Sequence, residues 1–231
     1  MALDILNRLK VLEEKIEEAC LRSGRRRDEV RLMGVSKFMS LEVVKQAYNG
    51  GLRLFGESRV QEGMEKFASF REAGLELHFV GPLQRNKAKK AAAFFDCIQS
   101  VDRDSLIDEL GALTRERQNP LMVLLEYHTA EDTKTGFKGH DSLFRAAEKL
   151  LSFPGLLPSG LMTMAPFTGE EAAIRSSFRR LFEAGAELKK RFPEASWSCL
   201  SMGMTGDFQI AIEEGSTLIR IGSAIFGELK A

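Results

Sequence analysis

Apolar residues follow two alternating patterns along this sequence. Short runs of strand length occur at 31–36, 52–55, 75–81, 95–101, 121–127, 155–162, 196–201 and 216–222. Between several of these runs, apolar residues recur every three or four positions, which predicts helices at 40–50, 58–74, 103–118, 141–152 and 170–192. Helical segments of this length can cross back over a parallel sheet. The alternation therefore predicts an α/β fold.

Eight strands in 231 residues fit a single (β/α)8 TIM barrel, a fold that usually takes about 250 residues. An open doubly wound sheet is the alternative. The first strand-to-helix junction, however, contains only Gly34 and therefore lacks the glycine-rich turn of a dinucleotide-binding sheet. Leu6, Leu9, Leu12 and Ile16 lie at helical spacing and predict an extra N-terminal helix. Because no linker or repeat divides the sequence, we expect a single domain over residues 1–231.

Charge and cysteine content narrow the class of protein. The 33 basic and 33 acidic residues balance, which argues against a general nucleic-acid or membrane-surface binder. No apolar run approaches the ~20 residues of a membrane span, and the first helix contains glutamates that a signal or transit peptide would avoid. The three widely spaced cysteines favour a reducing cytoplasm, and neither they nor the three histidines have metal-site spacing. We therefore expect a cytoplasmic protein without a bound metal.

Lys37 directly follows the first predicted strand. In a TIM barrel, the residues that perform chemistry gather at the C-terminal ends of the strands. Burial there would favour a neutral amine, which is the form that attacks an aldehyde or ketone. The alternative is that the side chain of Lys37 extends into solvent. Its position in the sequence leaves both interpretations open.

The segments after the last two strands have the composition of a phosphate site. They read LSMGMTGD at 200–207 and RIGSAIFG at 220–227. In barrel enzymes these two loops often bind phosphate, because their glycines let backbone N–H groups approach the anion. Simple glycine turns are the alternative. The candidate phosphate ligands are Ser201, Thr205, Gly203, Gly206, Gly222 and Ser223.

Arg220 interrupts the last apolar run. It alternates with Ile219 and Ile221, so we expect its side chain to point to the opposite face of the strand and to need a buried partner. A strand-end lysine, a phosphate site and an inward arginine together describe a receptor for pyridoxal 5′-phosphate. That cofactor combines an aldehyde, a phosphate and a pyridine nitrogen.

Six motifs of the sequence resemble those of a known family. They are VSK at 35–37, FGESRVQE at 55–62, HFVGPLQRNK at 78–87, KTGF at 134–137, GLMTMAP at 160–166 and the segment 201–227. These motifs are similar to those of the pyridoxal phosphate homeostasis proteins, single-domain relatives of the alanine racemase N-terminal barrel. The resemblance implies that Lys37 is the Schiff-base lysine and that Arg220 faces the pyridine nitrogen. It also implies a cofactor-binding set comprising Ser58, Ser201, Met202, Thr205, Gly222 and Ser223.

The resemblance further implies a role in intracellular homeostasis of the cofactor, by storage, buffering or delivery, with apo-enzymes that depend on it as candidate recipients. Robust catalysis is not expected, since related racemases have a second, β-rich domain that supplies a tyrosine, and nothing follows Ala231 here. A weak amino-acid racemase or lyase using Lys37 is the alternative, and an aldolase-like barrel is a third possibility. We expect a monomer.

Two pairs of adjacent residues depart from the family pattern. Ser58-Arg59 stands where the family usually has Asn-Tyr, and Glu126-Tyr127 stands where it usually has an apolar residue followed by Asn. The replaced asparagines are expected near the cofactor. These departures therefore predict a changed polarity around its ring.

Overall fold

The structure, a computed structural model, describes residues 2–130 and 135–227. Its centre is a closed barrel of eight parallel strands, in which β1 pairs with the last strand and β4 pairs with β5. The barrel strands are β1 (Arg31–Val35), β2 (Leu54–Glu57), β3 (Glu76–Phe79), β4 (Cys97–Val101), β5 (Leu121–His128), β7 (Leu156–Met162), β8 (Cys199–Ser201) and β9 (Leu218–Ile221). The short strand β6 (Phe137–Lys138) pairs with the end of β5 outside the closed ring. The predicted TIM barrel is thus confirmed.

Helices connect the strands and cover the barrel. They are α1 (Ala2–Arg22), α2 (Leu41–Asn49), α3 (Val60–Phe67), α4 (Ala88–Phe94), α5 (Asp104–Thr114), α6 (Gly139–Leu151), α7 (Glu171–Arg191), α8 (Phe208–Glu213) and α9 (Ser223–Phe226). Short 3-10 helices lie at Arg27–Glu29 and Arg85–Lys87. The expected N-terminal helix is α1, which contacts α2, α8 and α9. Across the described ranges, no helix is long and apolar enough to cross a bilayer.

The predicted helix at 58–74 is shorter than expected. It ends at Phe67, although Phe70 continues the apolar spacing. Phe70 is buried from a turn and packs edge-on against Tyr48, with ring centroids 5.4 Å apart. Phe70 is therefore buried, as its spacing indicated, although it lies outside the helix.

Two kinds of core stabilise the barrel. The larger core lies between the strands and the surrounding helices and includes the fully buried rings of Phe55, Phe67 and Phe79. Smaller apolar clusters, such as Met33 with Leu218, come from the alternate residues that face the barrel interior. The larger core fixes the helices against the strands, while the interior positions are available for polar residues at the C-terminal ends of the strands.

Close contact between β7 and β8 explains why a glycine occupies position 160. Gly160 on β7 has φ 150°, and a Cβ atom there would lie 1.8 Å from the carbonyl oxygen of Cys199 on β8. Any side chain would therefore separate the two strands. Their pairing brings Met162 and the segment after β7 beside Ser201.

Candidate functional site

A cavity of about 620 Å³ lies at the C-terminal ends of the strands. Residues following β1, β2, β3, β7, β8 and β9 contribute to its wall. It brings together seven of the ten residues that the sequence predicted for the site, namely Lys37, Ser58, Thr205, Gly206, Arg220, Gly222 and Ser223, whereas Ser201, Met202 and Gly203 do not line it. A second cavity of about 560 Å³, at the opposite end of β1 and β2, contains none of the ten.

Lys37 lies at the rim of this cavity, on a tight turn. The amide of Met39 donates to the carbonyl of Ser36, 3.0 Å away, which closes the turn around Lys37 and Phe38. Phe38 has φ 65°, a conformation that non-glycine residues rarely adopt. The amide of Phe38 donates to the Glu62 carboxylate, which holds this strained residue in place. Lys37 itself is exposed, so of the two interpretations that the sequence left open, the buried amine is not the one observed in this structure.

A buried ion pair between Lys66 and Glu57 stabilises the turn. The ammonium of Lys66 donates to Glu57 Oε1 and to the carbonyl oxygen of Ser36, each at 2.7 Å, and lies 3.2 Å from Glu62 Oε1. The hydroxyl of Ser36 also donates to Glu57 Oε1, at 2.7 Å. Burial raises the pKa of Glu57, while Lys66 acts in the opposite direction. We call Ser36, Glu57, Glu62 and Lys66 the Lys66 network.

Thr205 and Ser223 form the candidate phosphate end of the cavity. Their hydroxyl oxygens lie 3.2 Å apart, although one residue follows β8 and the other opens α9. The first amides of a helix have no carbonyl acceptor within it, so those of Ser223 and Ala224 are not used inside α9. Gly222 precedes them without a side chain. The arrangement presents hydroxyl and amide donors toward one place in the cavity.

Arg220 is buried on the inner face of β9, as its alternation with Ile219 and Ile221 predicted. Its guanidinium donates to the backbone oxygen of Ser201 at 2.6 Å and to that of Thr163 at 2.8 Å. A third bond of 2.8 Å goes to the Ser201 hydroxyl. Burial lowers the pKa of Arg220 to about 10, although Asp207 and Glu126 act in the opposite direction. The side chain therefore keeps its charge at neutral pH, with oxygen atoms as its partners.

Ser201 and Met202 are not brought to the cavity wall. The hydroxyl of Ser201 accepts from Arg220 and donates to Gln99 Oε1 at 2.7 Å. Met202 is fully buried in the larger core, and its amide donates to Leu218 O. Ser201 was expected to hold the phosphate and Met202 to belong to the cofactor-binding set, but in this structure their polar groups already have protein partners, and Ser201 contacts the site through Arg220.

Sequence reasoning missed the methionines of the cavity. Met39, Met162, Met164 and Met204 all line it, and Met164 and Met204 are partly exposed. Each lies at or just beyond the end of a strand, so position relative to the strands was the available signal. Thioether side chains are flexible and polarizable, which suits a wall that contacts a flat ring.

The residues that depart from the family pattern have varied environments. Ser58 lines the cavity, and the guanidinium of Arg59 lies 4.7 Å from the ring centroid of Phe38. Glu126 is buried and accepts a bond from the Thr135 hydroxyl at 2.5 Å. Burial raises the pKa of Glu126, while Thr135 and Arg220 act in the opposite direction. Tyr127 is buried against His140, outside the cavity wall.

Comparison with known proteins places the chain among relatives of nearly equal length. The family model for the N-terminal domain of alanine racemase matches residues 9–230. The pyridoxal phosphate homeostasis protein of Haemophilus influenzae is 38% identical over 228 residues, covering 97% of this chain and 96% of that protein. The protein of the same name from Escherichia coli K12 is 36% identical over 228 residues, with the same coverage.

Solved structures agree with these sequence matches. PipY of Synechococcus elongatus, in a structure with PLP bound, is 33% identical and superposes with a TM-score of 0.83, covering 96% of this chain and all of that one. A histidine racemase from Leuconostoc mesenteroides is 16% identical, with a TM-score of 0.73. This chain covers 58% of that racemase, and the likeness concerns the fold alone.

Proposed function

Because this chain belongs to the family of pyridoxal phosphate homeostasis proteins, we propose that it binds pyridoxal 5′-phosphate and takes part in its homeostasis by storing, buffering or delivering it. One observation carries the proposal. A lysine from the first part of the sequence lines one cavity of about 620 Å³ together with a pair of hydroxyl groups and a buried arginine from the last part. That volume lies within the range of small-molecule sites.

The residues present fit the three polar parts of the cofactor. Thr205 and Ser223, with the first amides of α9, supply donors for the phosphate. Arg220 would lie beside the pyridine nitrogen and keep it unprotonated, because an arginine does not give up its proton at neutral pH. Ser58 and Gly222 complete the wall, and Ser201 orients Arg220. The bound cofactor would supply a reactive aldehyde and a ring that accepts electrons.

Lys37 is the proposed attachment residue. Its amine would hold the cofactor through the aldehyde, the kind of group with which a neutral lysine amine condenses. In the part of the chain that the structure describes, no salt bridge or side-chain hydrogen bond occupies the Lys37 ammonium. The Lys66 network fixes the backbone on which the amine is carried, so the side chain can reach a bound aldehyde from a defined starting point.

The remaining parts of the proposal concern the compartment, the oligomeric state, the domain organisation and the recipients of the cofactor. We propose a cytoplasmic monomer that acts as one domain over residues 1–231, with cofactor-dependent apo-enzymes as recipients. The alternative of a weak racemase or lyase gains no specific support. The two tyrosines of the sequence, the candidates for an opposing acid or base, are Tyr48 and Tyr127, and neither lines the cavity.

A spectroscopic experiment tests the attachment. Pyridoxal 5′-phosphate is added to the wild-type protein, to Lys37→Ala and to the exposed-lysine control Lys90→Ala, and visible absorption is recorded. We expect a Schiff-base band in wild type and Lys90→Ala only. Reduction with borohydride and mass spectrometry should then place the adduct on the peptide containing Lys37. An unchanged band in Lys37→Ala would show that another residue attaches the cofactor.

A further inference from the structure

A continuous row of hydrogen bonds crosses the barrel interior from Arg220 to the opposite end of the strands. Arg220 Nη1 bonds to Ser201 Oγ at 2.8 Å, and Ser201 Oγ bonds to Gln99 Oε1 at 2.7 Å. Gln99 Nε2 lies 2.7 Å from His78 Nδ1, and His78 Nε2 lies 2.5 Å from Glu76 Oε1. We call these five residues the Arg220 network. It joins β9, β8, β4 and β3 through side chains alone.

The chemistry of Arg220 fixes the direction of every bond. A guanidinium only donates, so the Ser201 oxygen accepts from it and the single Ser201 proton goes to the Gln99 carbonyl. The Gln99 amide nitrogen then faces His78 and donates to Nδ1, which must be unprotonated. The remaining proton of the neutral His78 ring is on Nε2, where it is donated to Glu76. All four donors thus point from the cation toward the carboxylate.

The network is shielded from solvent except at its far end. Gln99 and Ser201 are fully buried, and His78 is 3% exposed. The second carboxylate oxygen of Glu76 pairs with Arg31, which is exposed at the start of β1. In a dry interior each of these polar groups needs its partner, so removing one member leaves its neighbours unsatisfied. Neither Gln99 nor His78 lines the cavity.

We infer that Gln99 and His78 are positioning residues that hold the Arg220 guanidinium toward the ring-binding part of the cavity; this rests on the proposed function. Arg220 also experiences attraction from two carboxyl groups on other elements, the half-buried Asp207 and the buried Glu126. The Ser201 hydroxyl, oriented by Gln99, is the side-chain acceptor that opposes a turn of the guanidinium toward them. When the Gln99 acceptor is lost, Ser201 is free to rotate, and Arg220 loses its side-chain acceptor and keeps only the backbone oxygens of Ser201 and Thr163.

The protonation pattern can be tested without any cofactor. Labelling histidine with ¹⁵N in the wild-type protein and measuring ring nitrogen shifts near neutral pH distinguishes the two neutral tautomers. We expect His78 to carry its proton on Nε2 and to keep Nδ1 unprotonated. A proton on Nδ1, or a fully exchanging ring, would break the deduced direction of the bonds and overturn the inference.

A second experiment reads the effect on the bound cofactor. The pH midpoint at which the ring nitrogen of the bound cofactor gains its proton is read from the visible band. It is compared among wild type, Gln99→Leu, His78→Phe, the double variant and Met122→Leu, an interior control outside the network. Without a well-placed arginine the ring nitrogen accepts a proton more readily, so we expect the midpoint of Gln99→Leu to rise by about 1 pH unit. We expect His78→Phe to move it in the same direction by less, and Met122→Leu to leave it unchanged.

Non-additivity separates positioning from general damage to the barrel. If His78 acts through Gln99, the double variant shifts the midpoint no further than Gln99→Leu alone. Additive shifts, or a Gln99→Leu midpoint equal to that of wild type, would overturn the inference. If Gln99→Leu does not fold, His78→Phe against Met122→Leu gives the same decision. Failure of wild type to form any band would instead defeat the proposed function, whereas the tautomer measurement would still stand.

Discussion

The ammonium of Lys66 donates a hydrogen bond of 2.7 Å to the carbonyl oxygen of Ser36, the residue that precedes Lys37. The side chain of Lys66 is 6% exposed and that of its carboxylate partner Glu57 is fully buried. Lys66 therefore holds the backbone from which the side chain of Lys37 extends. Burying two charges is costly, so their presence beneath this turn indicates that its geometry matters more than the stability of the barrel.

Replacing Lys66 should damage both stability and the site. In Lys66→Met the Glu57 carboxylate stays buried without its cation, which we expect to lower the free energy of unfolding by about 3 to 5 kcal/mol. The apparent affinity for pyridoxal 5′-phosphate should fall as the turn loosens. Denaturant unfolding and absorbance titration measure the two effects. Lys90→Met, at an exposed position on α4, should stay within about 0.5 kcal/mol of wild type. Equal unfolding midpoints for the two variants would contradict this account.

Gly81 is a position where the backbone leaves no room for a side chain. A Cβ atom there would lie 2.2 Å from the carbonyl oxygen of Ser58, so Gly81→Ala must push apart two segments that line the cavity. We expect a loss of about 2 kcal/mol or more in the free energy of unfolding and weaker cofactor binding. At Gly169 an added Cβ meets no atom within 4 Å. Gly169→Ala is thus the matched control, and a comparable loss there would show that the close approach to Ser58 is not the cause.

Removing the hydroxyl groups at the phosphate end should weaken binding in graded steps. Thr205→Val and Ser223→Ala each delete one donor to an anionic group, which corresponds to about a tenfold rise in the dissociation constant. Fluorescence or absorbance titration with pyridoxal 5′-phosphate measures this change. Ser69→Ala, at an exposed position far along the sequence from both loops, should bind like wild type. Variants at 205 and 223 that bind as tightly as wild type would place the phosphate elsewhere.

Acid should weaken the fold through Glu76. Burial alone would raise its pKa, but the hydrogen bond from His78, together with the hydrogen bond and the charge of Arg31, lowers the pKa of Glu76 to about 2. Because the folded state depresses this pKa, the stabilisation is present above about pH 4.5 and disappears as the pH falls toward 2. We expect it to amount to about 2 to 3 kcal/mol.

The measurement for Glu76 is denaturant unfolding as a function of pH. Glu76→Gln should show a shallower loss of stability between pH 5 and 2 than wild type, by about the amount given above. Glu72→Gln changes an exposed carboxylate nearby in the sequence and should reproduce the wild-type slope. Identical slopes for wild type and Glu76→Gln would mean that the ion pair contributes nothing to folding.

The sequence predicted the barrel well because its strands and long helices have strong periodicity. Eight strands were expected, and all eight form the closed ring. The missed elements, α4, α8 and α9, have seven, six and four residues, too few for a repeating apolar pattern. Some strands are shorter than predicted. For example, β8 begins at Cys199 rather than at 196. Those ends depend on pairing with neighbours, which the local sequence does not specify.

The site was predictable where chemistry coincides with a strand end and not where it depends on contacts between strands. Lys37, Thr205 and Ser223 carry recognisable functional groups directly after apolar runs, and they meet in the cavity. The role of Ser201 differs, because its hydroxyl is taken by Gln99 from a strand 102 residues away. Likewise, nothing in the local sequence of α3 distinguishes Lys66 from a surface lysine. Pairings across such distances become visible only once the barrel closes.

The pairing of Met33 on β1 with Arg220 on β9 joins two strands that leave the ribosome at different times. The proposed attachment lysine emerges early, but the arginine and the second candidate phosphate loop emerge more than 180 residues later in the sequence. Until β9 has left the exit tunnel and paired with β1, a nascent chain lacks the arginine side of the proposed site. The proposed site is therefore assembled only when the ring closes.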